Sequence, residues 1–129
     1  MAGRAPTMRA DAGPWPTELR VDRAAKLLIA TFDDGARFEL PAELLRVESP
    51  SAEVKGHGPG QKTIVAGRRH VGIMDLEPVG NYAVRIVFDD LHNTGMYSWD
   101  YLYHLGQNRE RIWQEYLQAL EARGLSRDP

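Results

Sequence analysis

Not one cysteine occurs among the 129 residues, and that absence removes several chemistries together. There can be no disulfide, no thiolate nucleophile, no cysteine-type zinc site and no thiolate-held iron–sulfur cluster. The lack fits a cytoplasmic protein. No run approaches the about 18 consecutive apolar residues of a membrane span, and residues 1–16 hold no apolar stretch able to act as a signal core. Excess charge of one sign is missing too. A formal net charge of −2 and a sequence pI near 6.1 exclude the broad basic face that would displace counterions from nucleic-acid phosphates.

What is present reads as one domain. Residues 1–16 combine Pro6, Pro14 and Pro16 with scattered charges and are expected to form a disordered tail, residues 17–124 the folded unit, and residues 125–129 a second short tail. Leu19 and Val21, then Leu28, Ala30 and Phe32, recur at period two and predict strands. Phe32-Asp33-Asp34-Gly35 places an Asp-Gly turn before a further strand at Phe38, where glycine tolerates the positive φ of a tight primed hairpin. Pro41 then opens a short helix through Glu43-Leu44-Leu45-Arg46. Residues 48–67 carry so many breakers that they predict a long loop, relieved only by a short strand at 63–66. A second hairpin joins residues 71–77 to 83–89, followed by a strand at Met96-Tyr97. Ser98 is placed to cap a helix through Trp99, Tyr101 and Leu102. A final amphipathic helix over 107–122 shows Ile112, Trp113, Tyr116, Leu117 and Leu120 at helical spacing, with Gly124 as its stop.

An internal echo runs through this pattern. Phe32-Asp33-Asp34-Gly35, Phe38 and Glu43-Leu44-Leu45 parallel Phe88-Asp89-Asp90-Leu91, Tyr97 and Asp100-Tyr101-Leu102. Two copies are too few for a solenoid, so the expectation is a pseudo-repeat folded into one sheet. Mostly antiparallel short hairpins with short helices and a C-terminal amphipathic helix then give an α+β, two-layer sandwich.

The side chains offer little recognised chemistry. His57, His70, His92 and His104 occur in no His-x-Asp or His-Glu-x-x-His pattern, although His57, His92 and Asp90 could converge as iron or zinc ligands from distant positions. Gly56-His57-Gly58-Pro59-Gly60 lacks the helix and Lys-Ser/Thr of a phosphate loop. Ser49 and Ser51 have no nucleophile elbow, and a serine beside proline ordinarily shapes a turn. The acidic pairs Asp33-Asp34 and Asp89-Asp90 read first as turns and second as hard-cation ligands. Tyr97, Trp99, Asp100, Tyr101 and Tyr103 form a dense aromatic group, as core or as a partner surface.

The motifs Phe32-Asp33-Asp34-Gly35, Leu45-Arg46-Val47-Glu48-Ser49-Pro50-Ser51, Gly56-His57-Gly58-Pro59-Gly60, Glu77-Pro78-Val79-Gly80-Asn81-Tyr82 and Tyr97-Ser98-Trp99-Asp100-Tyr101-Leu102, in that order, resemble the gamma-butyrobetaine-hydroxylase-like N-terminal domain family. The resemblance covers roughly residues 18–106. It implies a domain that in the hydroxylases precedes a separate oxygenase domain and holds zinc through three cysteines and one histidine. Carried over, the cysteine positions fall near Ser49, Ser51 and Val54, and the histidine on His92. The thiolates are gone, so the tetrahedral zinc site is not expected to form. With the oxygenase domain absent as well, hydroxylase activity is not expected. Related modules fused to P-loop iron–sulfur carrier ATPases imply a non-enzymatic accessory role near cluster assembly or delivery, working through protein contacts. The expected binding loop comprises Ser49, Ser51, Glu53 and His57, and the expected partner surface Tyr97, Trp99, Asp100 and Tyr101. The rival reading is a metal-binding protein that holds iron or zinc through His92, His57 and Asp90.

Overall fold

The computed structural model describes residues 13–51, 62–93 and 95–129. Strands β1 (Pro16–Asp22), β2 (Leu27–Phe32) and β3 (Arg37–Pro41) form an antiparallel meander that runs directly into α1 (Ala42–Val47). Strands β4 (Ile73–Val79), β5 (Ala83–Phe88) and β6 (Met96–Ser98) form a second meander, which runs into α2 (Trp99–Gln107) and α3 (Arg109–Ala122). The α+β class is as expected. The pseudo-repeat exists, but as two three-stranded sheets instead of one. The reason lies at Pro41, which ends β3 in extended geometry (φ −63°, ψ 143°) and turns the chain immediately into α1. The first meander therefore closes on a helix and pairs with no strand of the second.

Both sheets bury one face in a common core. Leu28, Ala30 and Phe32 of β2 meet Val84, Ile86 and Phe88 of β5, and α1 and α2 add their leucines to the same cluster. The period of two in each strand is what places these side chains together, and each fully buried large apolar side chain contributes about 1.5–3 kcal/mol. Tyr97 belongs to this core. It has no exposed surface, and its hydroxyl donates to the Leu45 carbonyl at 2.5 Å, so it is not part of the partner surface where the sequence placed it. A smaller cluster forms where residues 64–66 pack on Val47, Tyr116 and Leu120. Residues 63–66 make no strand; the Tyr116 hydroxyl, its pKa pushed up to about 12 chiefly by burial, instead donates to the Val65 carbonyl at 2.6 Å.

The helix signals are realised closely. The Ser98 hydroxyl accepts from the Tyr101 amide at 3.2 Å, as a capping serine should. Asn108, at φ −112° and ψ 19°, separates α2 from α3, so the last helix begins at Arg109 and not at Gln107. Gly124 adopts φ +66°, and the Leu125 amide donates to the Leu120 carbonyl at 2.9 Å, closing α3 in a Schellman-type end. The C-terminal residues, expected to trail, dock instead. Gly67 and Arg69 amides donate to the Ser126 and Arg127 carbonyls, and Arg127 grips the Glu43 carboxylate through two bonds of 2.9 and 2.7 Å. At the other end β1 already starts at Pro16, inside the expected tail. Among the described residues no helix is long and apolar enough to cross a membrane.

The first sheet and α2 pack tightly at Gly106. A Cβ there would lie 2.3–2.6 Å from ring carbons of Phe38, which is itself clamped edge-on by Phe32 and Tyr103. Gly106→Ala is therefore expected to destabilise the fold by about 1–3 kcal/mol through overpacking, despite alanine's better helix propensity. Chemical denaturation of the two proteins checks the sign.

Candidate functional site

Every residue of α1 is buried, including two charged ones, Glu43 and Arg46. A buried guanidinium needs a fixed anion, and Arg46 finds it in Asp90 of the β5–β6 turn, with Nε donating to Oδ2 at 2.8 Å. Arg68 brings its Nε to 2.9 Å from the same oxygen, as an ion-pair contact without hydrogen-bond alignment. Oδ1 accepts from the His92 amide at 3.1 Å. Burial alone would raise the Asp90 pKa, but the His92 amide and the two arginines outweigh it and hold the carboxyl below its ordinary value. Asp90 is therefore committed to two cations at Oδ2, which oppose a metal ion at the same oxygen.

The turn that carries Asp90 repeats the first acidic turn bond for bond. In the first, the Phe32 amide donates to the Ala36 carbonyl at 2.8 Å, Gly35 to Phe32 at 3.0 Å, and Ala36 to Asp34 Oδ1 at 2.9 Å. In the second, Phe88 donates to His92 at 3.0 Å, Leu91 to Phe88 at 3.0 Å, and His92 to Asp90 Oδ1 at 3.1 Å. Gly35 supplies a positive φ of 93°, but Asp34 does not, so the hairpin has a three-residue loop in place of the expected primed turn. At the matching position the second turn has Leu91, at φ +73° and 77 % exposed. A leucine there is strained by roughly 1–2 kcal/mol.

Beyond the turn, the His92 imidazole meets the serines that follow α1. Its Nε2 lies 3.0 Å from Ser49 Oγ and 3.4 Å from Ser51 Oγ, and the two hydroxyls are 3.2 Å apart. Ser49 has no exposed surface. Gly95 makes the fit possible: a Cβ there would fall 2.4 Å from Ser49 Oγ.

On the far side of the same segment a cleft of roughly 230 Å³ opens between the end of α1, residues 62–65, α2 and α3. Its apolar floor includes Ile64, Leu105 and Ile112, and its edge carries two ion pairs. Lys62 contacts both oxygens of the buried Glu48 carboxylate at 2.8 Å, and Arg111 reaches Glu115 at 3.2 Å. Tyr101 lines the cleft and donates to the Glu48 carbonyl at 2.5 Å; burial raises its pKa well above the usual phenol value.

The structure thus brings Ser49, Ser51 and His92 together and places Tyr101 beside them. Trp99 is half-buried, its indole N–H donating to the Asn81 carbonyl at 2.9 Å, while Asp100 is exposed and accepts from the Gly13 amide at 3.4 Å. Glu53, Val54 and His57, with the run Gly56–Gly60, lie outside the described residues. Among the described residues no three of His, Cys, Asp or Glu gather as a metal site. Sequence reasoning missed Arg46, Arg68 and Leu91. Superposing the two acidic turns would have found Leu91, since it stands where the first copy has glycine.

The comparisons agree with this architecture. A family model described as gamma-butyrobetaine hydroxylase-like, N-terminal, matches residues 19–103. Two proteins known from NMR solution structures are similar over nearly the whole chain. One is 47% identical (TM-score 0.80, covering 92% of this chain and 89% of that one), the other 41% identical (TM-score 0.78, covering 90% and 91%). A crystal structure of a protein of unknown function from Acidithiobacillus ferrooxidans is 37% identical, with a TM-score of 0.60 over 70% of this chain and 91% of that one. No functionally curated protein matches the sequence.

The Asp90 network sets a pH dependence with a definite sign. A carboxyl whose folded pKa is depressed stabilises the fold fully above its unfolded pKa of about 3.9 and loses that contribution as pH falls through the lower folded value. Asp90→Asn is expected to cost about 1.5–3 kcal/mol at neutral pH, because Arg46 loses its charged acceptor, and to flatten the decline in stability below about pH 4. Urea unfolding of both proteins across that range measures each effect.

Proposed function

Because the chain belongs to the gamma-butyrobetaine hydroxylase-like, N-terminal family, we propose that it is a non-enzymatic accessory module that binds a partner protein through the Leu91 turn and, on the other side of the segment after α1, the cleft between residues 62–65, α2 and α3. The carrying observation is Leu91 itself. A large apolar side chain is held 77 % exposed in a left-handed conformation that glycine occupies in the sister turn. In the free chain this conformation gains nothing from the exposed side chain. A partner that covers the leucine returns about 1.5–3 kcal/mol of burial, comparable to the strain. Such strain persists only where the surroundings over-determine it, and here the Asp90 ion pairs and the His92 contacts do so.

The cleft supports the same reading. Its apolar floor between ion pairs of both signs suits a side chain of a docking protein flanked by charges. The buried state of Ser49 supports the non-enzymatic part. Ser49 has no surface from which to reach a substrate, and the Asp90 carboxylate engages the His92 backbone and two arginines. The partner we propose is a P-loop iron–sulfur carrier ATPase. Its support is the fusion of related modules to such carriers, and any part this chain takes in cluster delivery runs through contact between proteins, since it has no cysteine to hold a cluster.

Leu91→Asn tests the reading, because asparagine tolerates the left-handed region and removes the apolar group. The variant is expected to melt higher by about 2–4 °C and to bind the purified carrier ATPase at least tenfold more weakly by titration calorimetry. Unchanged affinity in the variant would remove Leu91 from the interface. No binding by the unmodified chain would remove this partner.

A further inference from the structure

We infer that Ser49, Ser51 and His92 form a metal-free clasp, two hydroxyls and an imidazole linked by hydrogen bonds, doing mechanically what a bound zinc would do at these positions. The family resemblance implies a zinc unit with thiolates near Ser49 and Ser51 and an imidazole at His92, so the donor set can be tested against that ion. It does not fit. Structural zinc is held by deprotonated thiolates and neutral imidazoles, whereas two serine hydroxyls stay protonated and neutral, giving the ion one good ligand. The neighbouring carboxylate, Asp90, is taken by Arg46 and Arg68.

The same three groups satisfy one another well. With Nε2 unprotonated, the Ser49 hydroxyl donates to it at 3.0 Å, and the Ser51 amide donates to Ser49 Oγ at 3.3 Å. The Ser51 hydroxyl has both partners in reach, Nε2 at 3.4 Å and Ser49 Oγ at 3.2 Å. The burial of the two serines matters, because an unsatisfied buried polar group would cost about 1–3 kcal/mol. Three such groups closing on each other remove the need for an ion. The result fastens the segment leaving α1 to the β5–β6 turn, the two pieces of chain that a metal would otherwise bridge. Gly95 is fitted to this arrangement, since any larger residue would push its Cβ into Ser49 Oγ.

The test uses the full chain without a histidine tag, expressed with added zinc or iron. The unmodified protein is expected to carry no stoichiometric metal by elemental analysis, and its melting temperature should be the same with EDTA as with zinc. His92→Ala should lower the melting temperature by several degrees equally in both conditions; should that variant not fold, His92→Gln, whose amide can still reach the hydroxyls, should fold and be destabilised less. Ser49→Cys/Ser51→Cys restores two thiolates beside the imidazole and should acquire one zinc, with a melting temperature that EDTA then lowers. One equivalent of metal in the unmodified protein, lost with His92→Ala and accompanied by chelator sensitivity, overturns the proposal. A His92→Ala protein as stable as the parent overturns it equally, as does a double-cysteine variant that takes no zinc.

Discussion

A guanidinium buried inside a six-residue helix is a demand that the rest of this chain has to meet. Arg46 lies in α1, every residue of which is buried, and its anion comes from 44 positions further along, in the turn between β5 and β6. Leaving a buried cation without its charged acceptor costs about 1.5–3 kcal/mol, more than an exposed pair is worth, so the turn is held to the helix. The two meanders share no strand pairing, and the Arg46–Asp90 contact joins the buried Tyr97 hydroxyl bond to Leu45 as a directional tie between them, beside the non-directional packing of the core. The clasp at His92 and the strain at Leu91 both lie within two residues of that aspartate. Their positions follow from it.

The two acidic turns show how one local solution can be put to different ends. Both place an aspartate Oδ1 under the amide two residues on, and both leave Oδ2 to be claimed from outside. In the first turn the claimant is the Tyr103 hydroxyl at 2.6 Å, a neutral donor on α2 in an exposed setting, and that bond lowers the Asp34 pKa. In the second it is a buried cation, a stronger and less forgiving partner. The left-handed position is leucine in the turn fastened by a buried cation and glycine in the turn fastened by a neutral donor.

Much of this architecture was legible because it rests on local rules. Period-two alternation placed Leu28, Ala30, Phe32, Val84, Ile86 and Phe88 on inward faces, and Ser98 and Gly124 marked helix ends through hydrogen bonds that only those local sequences offer. The echo of Phe-Asp-Asp was visible, but its meaning was not, since strand pairing is a long-range property that the turn does not encode. Tyr97 was misplaced for a related reason. An aromatic group at the start of a helix has the same composition whether its hydroxyl faces solvent or, as here, the Leu45 carbonyl 52 residues away. The docking of Arg127 onto Glu43 was hidden in the same way, because the carboxylate partner of a C-terminal arginine has no spacing rule.

The replacement of metal ligands by serines is the case in which composition and geometry speak most directly to each other. Absence of cysteine says only that a thiolate site is lost; it leaves open whether the positions are abandoned or reused. Abandoned positions would drift apart or fill with apolar side chains, since a buried hydroxyl without a partner is a liability. Ser49 and Ser51 instead remain buried, within hydrogen-bond distance of the imidazole and of each other, and Gly95 keeps the space clear. A zinc clasp also makes folding depend on the supply of an ion. A hydrogen-bonded clasp is weaker per contact but always present, and it is sufficient here because Arg46 and Asp90 already fix the turn in place. In this reading the salt bridge holds the turn where a bound ion would otherwise have to.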